Sequence, residues 1–181
     1  MNRFAIIAIL ALCAILMHAQ GVTQDEVTGI RAAYWAAKEQ VKLNEEAQEQ
    51  NVPRSDMEVV SHYVIPGCGP TEEVIHYYFK LEEDPEQETT FQIPYFITRR
   101  YNVAARKFYQ EFLFSGSEAE LLFFFQSNDA MDGGTDETRY YYGSQGVHQV
   151  INGNAEMDET FAARLADELK TAFNALMNRE F

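Results

Sequence analysis

The sequence predicts an α+β fold, in which an N-terminal helix precedes a curved antiparallel sheet of about seven strands and an amphipathic helix follows it. Two observations predict this class. Apolar residues recur every three or four positions near both ends of the chain, which is typical of amphipathic helices. Between residues 57 and 151 the apolar period is two, and turn-forming residues interrupt it at short intervals. Short connections favour pairing between neighbouring strands, so we expect an antiparallel meander.

The N-terminal helix has a defined start signal. Thr23 and Glu26 have the spacing of a capping box, in which each side chain satisfies a backbone N–H of the first turn. Pro53 stops any helix that extends so far. The stripe that should pack against the sheet consists of Val27, Ile30, Tyr34, Ala37 and Val41.

Seven strands are predicted in the central region, although the stretch 104–114 also has apolar residues at helical spacing. Residues 121–125 are apolar at five consecutive positions, so both faces of that strand should be buried at the centre of the sheet. The predicted strands are 57–65, 73–81, 89–98, 104–114, 120–126, 137–142 and 147–151.

The C-terminal helix is predicted after a turn at residues 152–154. The two helices flank the sheet in the chain, but periodicity alone leaves open whether they cover the same face. The apolar stripe of the second helix consists of Met157, Phe161, Leu165, Leu169, Phe173 and Leu176.

The first residues have the layout of a secretory signal peptide. Arg3 provides a positive start, residues 4–17 are apolar, and Ala19 suits a cleavage site. The apolar run is shorter than the about 20 residues that a membrane span needs. A lipoprotein signal at Cys13 is disfavoured because the bulky Leu12 precedes the thiol. We therefore expect a signal peptide at 1–19, a single domain at 20–181, no membrane insertion after cleavage, and a periplasmic, cell-surface or secreted location.

Charge and cysteine content restrict the partners. The net charge is −14, and removal of the leader takes away one cation and no carboxylate. Such an acidic surface repels phosphate backbones, so nucleic acid is not an expected partner. Only Cys68 remains after cleavage, which excludes an intrachain disulfide. The core must be held by packing, to which 13 Phe and 10 Tyr can contribute.

The sequence provides little for catalysis. Cys68 lies roughly 20 Å along an extended strand from His62, and His76 is farther away, so only His148 could act as its base. The Gly143–Gly146 segment lies between two strands and is a hairpin turn rather than a nucleophile elbow. The chain has no HExxH motif, phosphate-binding glycine loop or dinucleotide fingerprint.

Metal binding is also weakly supported, and no cofactor is predicted. His62 and His76 face each other in one hairpin register and point to opposite faces when the register shifts by one residue. Residues 128–137 contain three aspartates, but their spacing does not match an EF-hand loop. An irregular calcium site or a solvated hairpin loop would both explain this composition.

The functional prediction rests on aromatic strands. In the segment 138–142, Tyr141 and Arg139 share one face, while Tyr140 and Tyr142 share the other. Buried Tyr and Arg need polar partners, so we expect Arg139 and Tyr141 to face solvent or a cleft. The predicted ligand-binding residues are Arg139, Tyr141, Tyr109 and Tyr77. The alternative is that these rings only complete the core.

A resemblance to known proteins rests on three stretches: the leader ending in Ala19-Gln20, the segment YNVAARKFYQEFL at 101–113 and the hairpin ETRYYYG at 137–143. In these stretches the chain resembles small exported proteins of uncharacterised families from Bacteroides-type bacteria. The resemblance implies a periplasmic or cell-surface location and implies no activity or catalytic residue.

These observations predict an exported, non-catalytic binding or interaction module of the cell envelope. Its ligand would be a glycan, a cell-wall fragment or a peptide held on the aromatic strands. The alternative is a small secreted hydrolase or another enzyme. A cleft lined by Tyr and Arg would favour binding, whereas clustered carboxylates or histidines would favour catalysis.

Overall fold

The computed structural model describes residues 21–49, 55–84, 89–116, 118–130, 133–154 and 157–178, and it confirms the predicted α+β class. The predicted signal peptide at 1–19 lies outside these residues. The elements are α1 (Gln24–Glu49), β1 (Asp56–Ile65), β2 (Gly69–Asp84), β3 (Thr89–Val103), β4 (Arg106–Ser115), β5 (Glu120–Asp129), β6 (Thr135–Gly143), β7 (Gly146–Asn152) and α2 (Glu159–Met177).

The seven strands form one antiparallel sheet in the order β1-β2-β3-β4-β5-β6-β7, as the short connections predict. The stretch that also suited a helix is strand β4, which pairs with β3 and β5 along its length. Both faces of β5 are covered, since Phe123 packs on one side and Phe124 on the other. Its predicted central position is wrong by one strand, because β4 is the middle strand.

The two helices cover opposite faces of the sheet. Tyr78, Phe96 and Phe123 belong to the cluster that contains the stripe of α1. Their sequence neighbours Tyr77, Ile97 and Phe124 belong to the cluster that contains the buried residues of α2. Adjacent strand residues point to opposite faces, so each strand contributes to both cores. We call these the α1 face and the α2 face.

Helix α1 begins with the predicted capping box. Glu26 N–H donates to Thr23 Oγ1 at 3.2 Å, and Thr23 N–H donates to Glu26 Oε2 at 2.8 Å. The second oxygen of Glu26 accepts hydrogen bonds from Ser144 N–H and Oγ, at 3.1 and 2.7 Å. These bonds lower the pKa of Glu26 to about 2 and join the helix to the β6–β7 turn.

Helix α2 packs through a stripe that shares Leu169 and Phe173 with the predicted one and differs from it elsewhere. Its buried residues are Ala162, Ala166, Leu169 and Phe173, whereas Phe161 is exposed. The small alanines let the helix backbone approach the aromatic α2 face closely, which a stripe of large side chains at the same positions would prevent. None of the described helices contains a stretch long and apolar enough to span a membrane.

The β1–β2 register differs from both registers considered from the sequence. Ile65 pairs with Gly69, which leaves a three-residue turn, and His62 pairs with Glu72. His76 pairs with Glu58, four positions along the strand from His62. The two imidazoles are therefore on one face but roughly 13 Å apart along the strand. This separation is too large for a shared metal ion.

Candidate functional site

A small cavity lies on the α1 face, between α1 and the strands β5 and β6. Its volume is about 220 Å³. We call it the aromatic cavity. Its lining residues are Arg31, Tyr34 and Trp35 from α1, Phe123 and Phe125 from β5, and Arg139 and Tyr141 from β6.

Regular secondary structure brings these residues together. In β5 and β6 the lining residues are two positions apart, so each pair points to the same face. Phe123 pairs with Tyr141, and Phe125 pairs with Arg139, which forms a four-residue floor. The helical residues lie within about one turn of each other and cover this floor from above.

Trp35 is the most exposed ring of the cavity, with 67% of its surface accessible. Its neighbour Tyr34 makes edge contacts with the rings of Trp35 and Phe123, at centroid distances of 5.2 and 5.1 Å. Tyr34 thus joins a buried ring of the floor to a ring in solvent. An exposed tryptophan held in this way offers a flat face on which a ligand ring can stack.

Two guanidinium groups border the same cavity. Arg31 Nε donates to the Tyr141 hydroxyl at 3.3 Å, and its guanidinium carbon lies 5.4 Å from the Tyr141 ring centroid. The guanidinium carbon of Arg139 lies 4.9 Å from the Phe125 ring centroid, and its Nη2 atom forms an ion pair with Glu137 Oε2 at 2.8 Å. Aromatic contacts therefore fix both cations, and among the described residues only Arg139 is also paired with a carboxylate.

A buried carboxylate anchors the cavity wall. Glu111 accepts hydrogen bonds from the hydroxyls of Tyr34 and Tyr109, both at 2.7 Å, and from Lys38 Nζ at 2.8 Å. Burial first, and then the Glu111 charge, raise the pKa of Tyr34 and Tyr109 well above 10. Both phenols therefore stay neutral at physiological pH and act as hydrogen-bond donors to Glu111.

The structure brings three of the four predicted site residues to one face. Arg139 and Tyr141 line the aromatic cavity, and the Tyr109 ring contacts that of Phe125 at 6.4 Å. Tyr109 also lines an open groove of about 740 Å³ on the same face. Tyr77 is wrongly assigned to this group, because it is 1% exposed and packs against Phe173 on the α2 face.

Tyr141 lines a cleft, as predicted, but it is not open to solvent. Only 4% of its surface is accessible, because α1 covers the strand at this point and Arg31 supplies a partner for the hydroxyl. The complementary prediction is confirmed, since Tyr140 and Tyr142 help to close the α2 face. Their hydroxyls donate to the carbonyl oxygens of Met157 and Glu159, at 2.6 and 2.8 Å.

Sequence reasoning missed the helical half of the cavity. Arg31 and Trp35 lie outside the apolar stripe of α1, and they belong to no sequence motif and to no strand pattern. One signal was present: Trp35 is the single tryptophan of the chain and lies on a helix beside, rather than within, the packing stripe. A large ring in that position is exposed, and exposed aromatic residues are enriched at binding sites.

The residues that line the aromatic cavity include no carboxylate, histidine or thiol. The described part of the chain also has no cluster of three or more His, Cys, Asp or Glu side chains that could hold a metal ion. The cavity can therefore supply stacking surfaces, hydrogen-bond donors and positive charge. No family model, curated protein or solved structure matches the chain, so its function has to be inferred from this geometry.

Proposed function

We propose that this protein is an exported, non-catalytic binding module of the cell envelope. Its aromatic cavity holds one ring or side chain of a glycan, a cell-wall fragment or a peptide. The observation that carries the proposal is the combination of the exposed ring of Trp35 with two arginines around a preformed apolar cavity. Concave sites with aromatic walls and a few placed polar groups are typical of ligand binding.

The dimensions of the site support a ligand larger than the cavity. Small-molecule pockets usually have volumes of about 300 to 1,000 Å³, and the aromatic cavity is smaller. It therefore accepts one group of a longer molecule. The open groove that Tyr109 lines is a separate depression on the same face, where Arg100 and Lys107 offer polar contacts for the rest of the ligand.

The chemistry of the lining residues supports binding over catalysis. General acid–base catalysis needs a group that titrates near the working pH, and burial together with Glu111 raises the pKa of Tyr34 well above that range. A hydrolase would find carboxylates elsewhere, in an open groove of about 740 Å³ that Glu26, Glu120 and Asp167 line. Glu26 is a poor proton donor there, because hydrogen bonds lower its pKa to about 2.

Export rests on the leader sequence. Intact-mass measurement on protein recovered from the producing cell should give a chain that begins at Gln20. A retained Met1 or a lipid on Cys13 would contradict the proposed processing.

Binding can be tested by thermal shift with a panel of glycans, cell-wall fragments and peptides, because a ligand that binds only the folded state raises the melting temperature. We expect at least one compound to stabilise the wild type, and Trp35→Ala to remove that shift. Leu43→Ala is the matched control, since Leu43 is an exposed apolar residue of the same helix outside the cavity. A shift that survives in Trp35→Ala would place the site elsewhere.

A further inference from the structure

We propose that the aromatic cavity recognises the C-terminal residue of a peptide, with Arg31 holding the free carboxylate and the cavity holding an apolar or aromatic side chain. This inference rests on the proposed binding function and names its ligand class. Three features of the cavity carry it: an uncompensated charge, a guanidinium held by a hydrogen bond, and a wall that is otherwise largely aromatic.

The first feature is the charge balance. The chain has a net charge of −14, yet two guanidinium groups border one small cavity. Glu137 compensates Arg139 at 2.8 Å, whereas Arg31 has no salt-bridge partner among the described residues. A cation without a carboxylate, in a protein with a surplus of carboxylates, is available to an anion from outside.

The second feature is the position of that cation. The Nε–H group of Arg31 donates a hydrogen bond to the Tyr141 hydroxyl, so the two terminal nitrogens remain for a ligand. Tyr141 is itself buried and packs on Phe123 at a centroid distance of 4.9 Å. A guanidinium held in this way loses little conformational freedom on binding, and its planar fork matches a carboxylate with two parallel hydrogen bonds.

The third feature distinguishes a peptide from a sugar. The Tyr34 hydroxyl donates to Glu111, and the Tyr141 hydroxyl accepts from Arg31, so both already have partners. The rest of the lining consists of Arg139, which is paired with Glu137, and the rings of Trp35, Phe123 and Phe125. A pyranose pushed into this space would bury hydroxyl groups without hydrogen bonds, which is costly, whereas an apolar side chain would not. The geometry therefore favours a carboxylate on an apolar residue.

The test compares N-acetyl-alanyl-phenylalanine with its C-terminal amide, by calorimetry on the mature protein. The two probes differ only in the charge of the terminal group. We expect the acid to bind at least about tenfold more tightly, since a charge-assisted bidentate contact is stronger than a neutral one. Its affinity should fall when NaCl rises from about 50 to 500 mM, because salt screens exposed charges.

Three variants assign the effect to Arg31. Arg31→Gln should abolish the preference for the acid; it also removes the donor to the buried Tyr141 hydroxyl, so a melting curve checks that the variant is folded at the temperature of the titration. Arg31→Lys keeps the charge without the planar fork and should retain part of the preference. The matched control is Arg164→Gln, which removes an exposed arginine from α2 on the other face and should bind like the wild type.

Equal affinity for acid and amide, or no binding of either, would overturn the inference. So would tighter binding of glucuronic acid than of the peptide acid, which would indicate a sugar ligand. In each of these cases the binding function still stands if a compound of the thermal-shift panel binds in a Trp35-dependent manner. If no compound of the panel raises the melting temperature in a Trp35-dependent manner, the proposed function itself is wrong.

Discussion

Gly153 lies directly against the side chain of Asp136: a Cβ atom at position 153 would be only 1.9 Å from Asp136 Oδ1. The same carboxylate oxygen accepts a hydrogen bond from Asn154 N–H at 3.0 Å. Gly153 also has a φ of +92°, a backbone conformation that residues with a Cβ atom rarely adopt. The turn between β7 and α2 is thus attached to the buried carboxylate of β6 by a contact that only glycine permits.

Gly153→Ala should therefore destabilise the protein by about 1 to 3 kcal/mol, from backbone strain and from displacement of Asp136. Urea unfolding at neutral pH measures this change. Gly29→Ala is the matched control, because that glycine is inside α1 and a Cβ there would meet no atom within 4 Å. The control should be stabilised by up to about 1 kcal/mol. Equal effects of the two substitutions would contradict the proposed contact.

A chain of side-chain hydrogen bonds crosses the α2 face and ends at Asp136. Arg99 donates to Gln110 at 3.1 Å, Gln110 donates to Gln126 at 2.8 Å, and Gln126 donates to Asn128 at 3.2 Å. Asn128 then donates to Asp136 at 3.5 Å. The guanidinium at one end can only donate and the carboxylate at the other can only accept, so the orientation of every amide between them is determined.

Gln126→Leu should cost about 1 to 3 kcal/mol, because it leaves the buried amide groups of Gln110 and Asn128 without their partner. Gln149→Leu, on the exposed edge strand β7, should change stability by less than about 0.5 kcal/mol. Both values follow from the midpoint of urea unfolding. A neutral Gln126→Leu would show that the chain contributes orientation without net stability.

Leu169→Ala should cost about 2 to 5 kcal/mol, since the side chain is 6% exposed within the α2 core and its removal leaves a cavity. Phe161→Ala provides the comparison, because the larger Phe161 side chain is 43% exposed. We expect a smaller loss there despite the greater number of atoms removed. Thermal unfolding measures both losses, and the Phe161→Ala result decides between the observed and the predicted stripe, because Leu169 belongs to both.

Two tyrosines should behave differently when only the hydroxyl is removed. The Tyr95 hydroxyl is buried without a hydrogen-bond partner in the described part of the chain, and burial raises the pKa of Tyr95 to about 12. Tyr95→Phe should therefore be neutral or stabilising at pH 7. Tyr34→Phe should cost about 1 to 3 kcal/mol, since it removes a donor from the buried Glu111.

The same pKa determines the response to alkali. The folded state keeps the Tyr95 proton up to about pH 12, whereas an unfolded tyrosine loses its proton near pH 10. The contribution of this raised pKa to the free energy of unfolding is complete below pH 10 and decreases as the pH rises towards 12. Urea unfolding at several pH values in this range should show a smaller loss of stability for Tyr95→Phe than for the wild type. Parallel losses in the two proteins would contradict the assignment.

Much of the fold was predictable because its signals are local. The capping box of Thr23 and Glu26, the period of two across the strands and the turn at Gly143–Gly146 all depend on residues close together in the sequence. Strand parity also placed Arg139 and Tyr141 on one face and Tyr140 on the other, as observed. These features follow from backbone geometry and do not depend on which element packs against which.

Only the tertiary structure decided which rings are exposed. Parity assigns Tyr141 to a face but does not reveal that α1 covers that face and leaves only 4% of Tyr141 accessible. Tyr77 was wrongly grouped with Tyr141, because the strand registers that relate them across the sheet are set by packing and turn length. The aromatic cavity combines Trp35 of α1 with residues about a hundred positions later, and these residues meet only once α1 has docked on the sheet. The sequence by itself thus determined the elements and the alternation of their side chains. Helix docking, driven by burial of the two aromatic faces, decided which of those side chains form the core and which form the site.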